Sequence, residues 1–407
     1  MRWRFIEAGN NAEASARAQT IARIDAWWKE FAHRIDDLRA HFKQNLDFDI
    51  PEWMANHLQA IHPLLMWEFG PAVHCNGHRL VITPESRRHL RPLTSAILER
   101  APRVTGWEFY PYRLPESVAL AQLTVNARTG QDIGDFRAFV RRGEHQRVDI
   151  CYYSPSITNK EDQQALNAAF VATESLLGEE LLDKWIGAIE VLPLERSNSI
   201  KWLFRRGRNA PKHLLSLDQL RETAEALIGS IVEQLPNRAC FEWVDQTEWT
   251  LWKLTPADSN DSSEQRDLFV GKSANNNLWA VAHGGGIFQS ERFSRCGETF
   301  CYVKLDGTDR LDEQQFADKT EIEDTLDAAL KPSKLGCIIG GGTGKQYSYV
   351  DLALVDLERG IEVVRQVLRS GNVSKRSWIQ FFDSDLAAEW VGIYEDSPPP
   401  PMPCFDE

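Results

Sequence analysis

From 11 to 46 the apolar residues Ile21, Ile24, Trp28, Phe31, Ile35, Leu38 and Phe42 recur at alternating spacings of three and four. Positions so spaced share one face of a helix, and the seam predicts a helix over 11–46 that packs on its own domain or on a partner helix. Pro51 opens a second helix over 51–61, which Pro63 closes. Two strand-like runs, 64–69 and 79–83, then flank Asn76-Gly77, a dipeptide that favours a tight hairpin, and 85–100 returns to the helical period.

Beyond residue 104 the period alternates between two and 3.6. A strand at 106–112, a helix at 116–127, strands at 136–141 and 147–153, a helix at 160–177 and a strand at 185–192 follow in turn. After a helix at 217–235 the same order returns, with a strand at 299–305, a helix at 321–330, strands at 335–339 and 347–355, a helix at 357–368 and a strand at 377–383. This repeated β-α-β-β-α-β order predicts an α+β protein. A helical N-terminal segment precedes two ferredoxin-like units, about 104–193 and 299–383, with internal duplication as their possible common origin. The expected domains are 1–215 and 216–395, followed by a proline-rich tail, 396–407, that is extended and mobile.

At 407 residues, with 43% hydrophobic and 26% charged positions, the chain can bury full cores and is not of a disordered or fibrous kind. It shows neither an apolar run of membrane-spanning length nor a signal-type N-terminus, and its seven scattered cysteines suit a reducing cytoplasm. Charge is uneven: of the net −13, residues 1–215 carry +2 and the remainder −15. The acidic half repels phosphate backbones, so nucleic acid is not expected as a partner. Basic clusters occur at Arg87, Arg88 and Arg91, at Arg141 and Arg142, and over 201–212. The last, where Trp202 and Phe204 interleave with Arg205, Arg206 and Arg208, reads as a solvated linker or, less simply, as a nucleic-acid or anion site.

Several motifs bear on chemistry. The run Gly340-Gly341-Gly342-Thr343-Gly344-Lys345-Gln346 has the look of a phosphate loop, but Ile339 and Gln346 stand where a P-loop needs glycine and Ser or Thr. It reads as a glycine-rich hairpin loop, with a looser anion nest as the alternative. His283-Gly284-Gly285-Gly286 resembles the oxyanion loop of lipases and esterases. No Gly-x-Ser-x-Gly elbow accompanies it, so a turn or mobile loop is expected. His74, Cys75 and His78 cluster at one turn without the spacing of a zinc site, and no metal or other cofactor is expected. Cys296 and Cys301 read as buried thiols, and Asp383, Asp385, Glu242, Asp245 and Glu248 as solvated acids.

Fourteen tryptophans are the composition's main oddity. Strand alternation in the second unit puts Phe300, Tyr302 and Lys304 on one face, then Tyr347, Tyr349 and Asp351, then Trp378, Gln380 and Phe382. Helices cover one side of such a sheet, so this aromatic face is either covered by more protein or open as a platform. Every catalytic signature breaks at a required position, and the expected activity is therefore binding. The partner would be another protein or a second copy, held through Phe300, Tyr302, Trp378 and Phe382 or through the helix seam. The rival is an enzyme or sensor that takes a small anion between the two repeats, through Gly341, Gly342, Gly344 and Lys345 with Tyr347, Tyr349 and Asp351.

Overall fold

The computed structural model describes residues 2–6, 9–194, 213–256, 265, 267–308 and 314–403. The chain is of mixed helix and sheet and divides into two compact units, Met1–Pro111 with Pro236–Glu407, and Tyr112–Leu235. The boundary drawn at 215 and the unit drawn from 104 both shift.

The first unit opens on α1 (Asn11–His33), whose first turn is capped by the Asn10 side chain accepting from the Glu13 amide. The predicted seam is buried at Ile24, Trp28, Phe31 and Leu38, so the helix packs back on its own unit. It is not continuous. At Arg34 the backbone leaves helical geometry, and its guanidinium bridges Glu30 and Asp37 across the break at 2.9 and 3.0 Å before α2 (Ile35–Phe42) begins. After α3 (Ile50–His57), β1 (Met66–Pro71) and β2 (His78–Thr83) pair antiparallel, with Pro71 opposite His78. Their link is therefore the loop 72–77 and not a tight Asn-Gly turn. α4 (Arg91–Glu99) then leads to β3 (Trp107–Tyr110), which lies parallel to β2.

That pairing overturns the first ferredoxin-like unit, because its opening strand belongs to the sheet β1-β2-β3. Parallel neighbours need a crossover connection, and α4 supplies one between β2 and β3. The Trp28 indole N–H fixes the arrangement by donating to the Ile97 carbonyl at 2.7 Å. What remains of 112–235 is α5 (Val118–Thr129), β4 (Arg137–Arg142), β5 (Val148–Ser154), α6 (Gln163–Leu177), α7 (Glu179–Trp185), β6 (Ile186–Pro193) and α8 (Leu217–Gln234). The sheet runs β4-β5-β6, antiparallel and then parallel. α8 belongs to this unit because Leu220, Ala224 and Ile231 share the core of Phe136, Ile150 and Tyr152. Two basic clusters are structural: Arg91 is buried with its guanidinium donating to Thr83 and the Pro111 carbonyl, and Arg141 pairs with Asp149 and Glu190. The 201–212 cluster lies outside the described residues.

The rest of the first unit is β7 (Thr250–Lys253), β8 (Leu268–Ser273), α9 (Asn276–His283), β9 (Thr299–Asp306), α10 (Lys319–Leu330), β10 (Gly336–Gly344), β11 (Tyr347–Leu354), α11 (Leu357–Ser370), β12 (Trp378–Phe381) and β13 (Trp390–Gly392). The element order predicted for 299–383 is present. These strands form one antiparallel sheet in the order β13-β12-β9-β11-β10-β8-β7. α11 turns Leu357, Ile361, Val364 and Leu368 inward, a helical stripe that meets Val303, Val350, Leu352 and Ile379 with α10 beside it.

The chain's first residues are bolted to the far edge of this sheet. The buried carboxylate of Glu389 accepts the amide N–H groups of Trp3, Arg4 and Phe5 at 2.6 to 3.0 Å, and Phe5 stacks on Phe381. Glu389→Gln replaces an acceptor with a donor that faces amide N–H groups. It is expected to cost about 2 kcal/mol, read as a lower urea midpoint at unchanged slope.

Candidate functional site

The face of the sheet opposite α10 and α11 carries the predicted residues together. Register sets Lys304 between Tyr349 and Trp378, and Tyr302 between Asp351 and Gln380. The rings touch along the face, with centroids 4.9 Å apart for Tyr302–Phe382 and 6.3 Å for Tyr347–Trp378, and the Lys304 ammonium sits 4.4 Å over Tyr347. The face is not an open platform. Phe300, Tyr302, Tyr347, Tyr349 and Trp378 are all buried and Phe382 is half-buried, so they are interior residues and not a bare docking surface. Its cover comes from the same unit: α9, the segment around Phe288 and Phe293, and Met402.

The glycine run likewise differs from its predicted form. Gly340, Gly341 and Gly342 are not in a loop but inside β10, paired with β11 on one side and β8 on the other. The hairpin turn is Lys345-Gln346, and an anion already occupies it. The Asp267 carboxylate accepts from the amides of Gln346 and Tyr347 at 3.1 and 3.2 Å and from the Tyr349 hydroxyl at 2.7 Å, while the Asp267 carbonyl takes the Lys345 amide. The nest's anion is thus the chain's own, and glycine at 344 makes room for it: a Cβ there would lie 2.2 Å from an Asp267 oxygen. Asp351, expected to face a ligand, is buried without a hydrogen-bond partner at Oδ1, and burial holds its pKa up at about 7.

The accessible feature of this face is a cavity of about 640 Å³, lined by Trp279, His283, Tyr302, Gln380, Phe382 and Glu389 among others. α9 builds one wall, capped at its start by the Asn275 side chain, which accepts from the Asn277 and Leu278 amides. Trp279 packs against β8, where Gly271 makes the approach possible: a Cβ there would meet the indole at 2.2 Å. Trp252 stacks on the indole at 4.7 Å and 10°, and the His283 ring lies 3.7 Å from it. Enclosed in this way, His283 has its pKa pushed down to about 4 by burial, and its Nε2 has no hydrogen-bond partner. It stands neutral at pH 7. Gly284, Gly285 and Gly286 form an exposed rim where α9 ends. The segment resembling an oxyanion loop therefore borders a cavity with aromatic walls.

The other candidates are structural. Asp383 accepts from the Ser290 amide and hydroxyl at 2.6 and 2.5 Å, and Asp385 from the Gln289 amide group, which ties the covering segment to the end of β12. Asp245 pairs with Lys331 at 2.7 Å, and Glu242 and Glu248 are exposed. Cys301 is buried and Cys296 half-buried. The His78 ring packs on Phe42 and Trp107, and no group among the described residues could hold a metal ion. No helix among them is long and apolar enough to cross a membrane.

Sequence reasoning missed Trp279 and Glu389 and gave His283 another chemistry. A glycine inside an otherwise apolar strand, as at Gly271, was the available signal that something large lies across it. No family model, curated protein or solved structure matches this chain.

Proposed function

We propose that the protein acts by binding and not by turnover, and that its ligand is a small uncharged molecule with a flat ring, held in the aromatic cavity. The observation that carries this is the cavity itself: its volume of about 640 Å³ lies in the range of small-molecule sites, and its walls set the ring faces of Trp279, Tyr302 and Phe382 beside polar groups such as Thr255 and Gln380. The states of His283 and Glu389 support binding over catalysis. His283 is a weak base held neutral, and the Glu389 carboxylate is engaged by three backbone amides, which leaves no pair poised for proton transfer. An anionic ligand would find neither a cationic imidazole nor a vacant nest at 345–347. In this reading the sheet over 299–383 is a ferredoxin-like unit whose edges are extended by β7, β8 and β13, while α9 and the segment around Phe288 and Phe293 roof the face that such a unit leaves bare. The odd number and scatter of the cysteines favour a cytoplasmic setting.

A library of neutral aromatic heterocycles tests the proposal, read by quenching of tryptophan emission and by thermal shift. Ala282 lines the cavity from α9, so Ala282→Phe is expected to fill it and abolish the response while the protein stays folded. A response that survives Ala282→Phe, or none from the library at millimolar concentration, would overturn it.

A further inference from the structure

The run 398–401 is four prolines, followed by Met402 and Pro403. Proline fixes φ near −65°, and a residue that precedes proline is driven out of the helical region, so this segment has little left to it but the polyproline II conformation. Such a helix makes no internal hydrogen bonds and leaves each carbonyl for an outside donor. Here the donor is on the aromatic face. The indole N–H of Trp378 donates to the Pro398 carbonyl at 2.5 Å, Pro400 is buried, and Met402 packs into the ring cluster of Trp378, Trp390 and Tyr347. Pro403 forms part of the cavity wall. The tail expected to be mobile is therefore seated.

An indole N–H presented to a proline carbonyl beside apolar rings is the chemistry by which proline-rich segments are recognised. The seat is imperfect in one place. Gln380, nineteen-twentieths buried, has Oε1 without a partner, and its Nε2 reaches only the Met402 thioether at 3.6 Å, a weak acceptor. Covering that amide costs the segment part of what its prolines contribute, which leaves it open to exchange.

We propose that this end of the aromatic face is a docking site for proline-rich extended segments, that residues 398–403 are its resident occupant, and that a proline-rich segment of another chain replaces them there. The site is centred on Trp378 and stands whether or not the neighbouring cavity binds a small molecule.

The test uses a chain ending at Ser397 and a synthetic peptide of residues 397–403. The shortened chain is expected to bind the peptide with a change in tryptophan emission. The full chain should bind about tenfold or more weakly, because its own tail competes at an effective concentration in the millimolar range. Trp378→Phe in the shortened chain keeps the ring but removes the donor, and should weaken binding about tenfold. A peptide with its prolines replaced by alanine should not bind. If the shortened chain does not fold alone, adding the peptide should restore a cooperative unfolding transition. A folded shortened chain that ignores the peptide, an alanine peptide that binds equally, equal binding by the full chain, or an unfolded shortened chain that the peptide fails to rescue would each overturn the proposal.

Discussion

Asp351→Asn is expected to stabilise the protein, and to do so more strongly the higher the pH. Asp351 lies in the middle of β11 with 1% of its surface exposed, and no group donates to its Oδ1. Burial raises its pKa from 3.8 to about 7, against the pull of Lys319 and Lys272 and with a small push from Glu323. The folded state thus holds this proton more tightly than the unfolded chain does. Stability is greatest below the unfolded value and falls as pH rises through the folded one, by up to about 1.4 kcal/mol per pH unit. Asparagine keeps the shape and cannot ionise. Its advantage over aspartate should grow by about 3 kcal/mol between pH 5 and pH 8, measured as the difference in unfolding free energy at each pH. His283 contributes the opposite slope, since its lowered pKa removes stability as pH falls below 6.5, but it does so equally in both proteins and cancels. Asp383 is the contrasting site. Burial raises it to about 6 as well, yet it accepts from both the amide and the hydroxyl of Ser290, so asparagine there gives up a bond as it gives up a charge. Parallel pH curves for Asp351→Asn and the parent would show that the carboxyl is not paying a desolvation cost.

How much of this was legible in the sequence depended on whether a local pattern had a single structural solution. Strand alternation placed Tyr302, Lys304, Tyr349, Asp351, Trp378 and Gln380 on one face correctly, because a period of two admits no other arrangement once the strands pair. The same strand pattern at 107–110 could not say which sheet would take it, and a crossover through α4 decided that. The glycine run was misread as a loop. Glycine signals conformational freedom or close approach, and a sequence does not distinguish the two. At Gly340 to Gly342 close approach governs, with neighbouring strands on both sides. The filled nest was out of reach, since Asp267 lies about 80 residues from the amides it binds. The cavity was out of reach for a similar reason: its walls come from α9, β9, β12 and the tail, and only folding brings them together.

The close-approach reading of β10 has a severe consequence at Gly341. Its φ is +145°, outside what L side chains ordinarily adopt, and a Cβ there would lie 2.4 Å from the Tyr349 carbonyl oxygen and 3.3 Å from the Val350 Cα. Both are backbone atoms of a strand held on its other edge by β9, so neither can give way without breaking a ladder. Gly341→Ala is expected to cost about 4 kcal/mol or more, enough to deplete the folded protein. Two other glycines separate the causes. Gly285 has φ of +69° with nothing near its absent Cβ, so alanine there bears only the backbone strain, about 1 kcal/mol. Gly229 sits inside α8 with open space around it, and alanine there should stabilise by about 0.5–1 kcal/mol through helix propensity. Calorimetric unfolding of the three variants reads the series directly. One substitution chemistry would give a gain, a small loss and a collapse, ordered by what each new methyl group meets. If Gly341→Ala unfolded within about 1 kcal/mol of Gly285→Ala, β10 would have to be free to move, and the paired sheet that positions the aromatic face would lose its claim to rigidity.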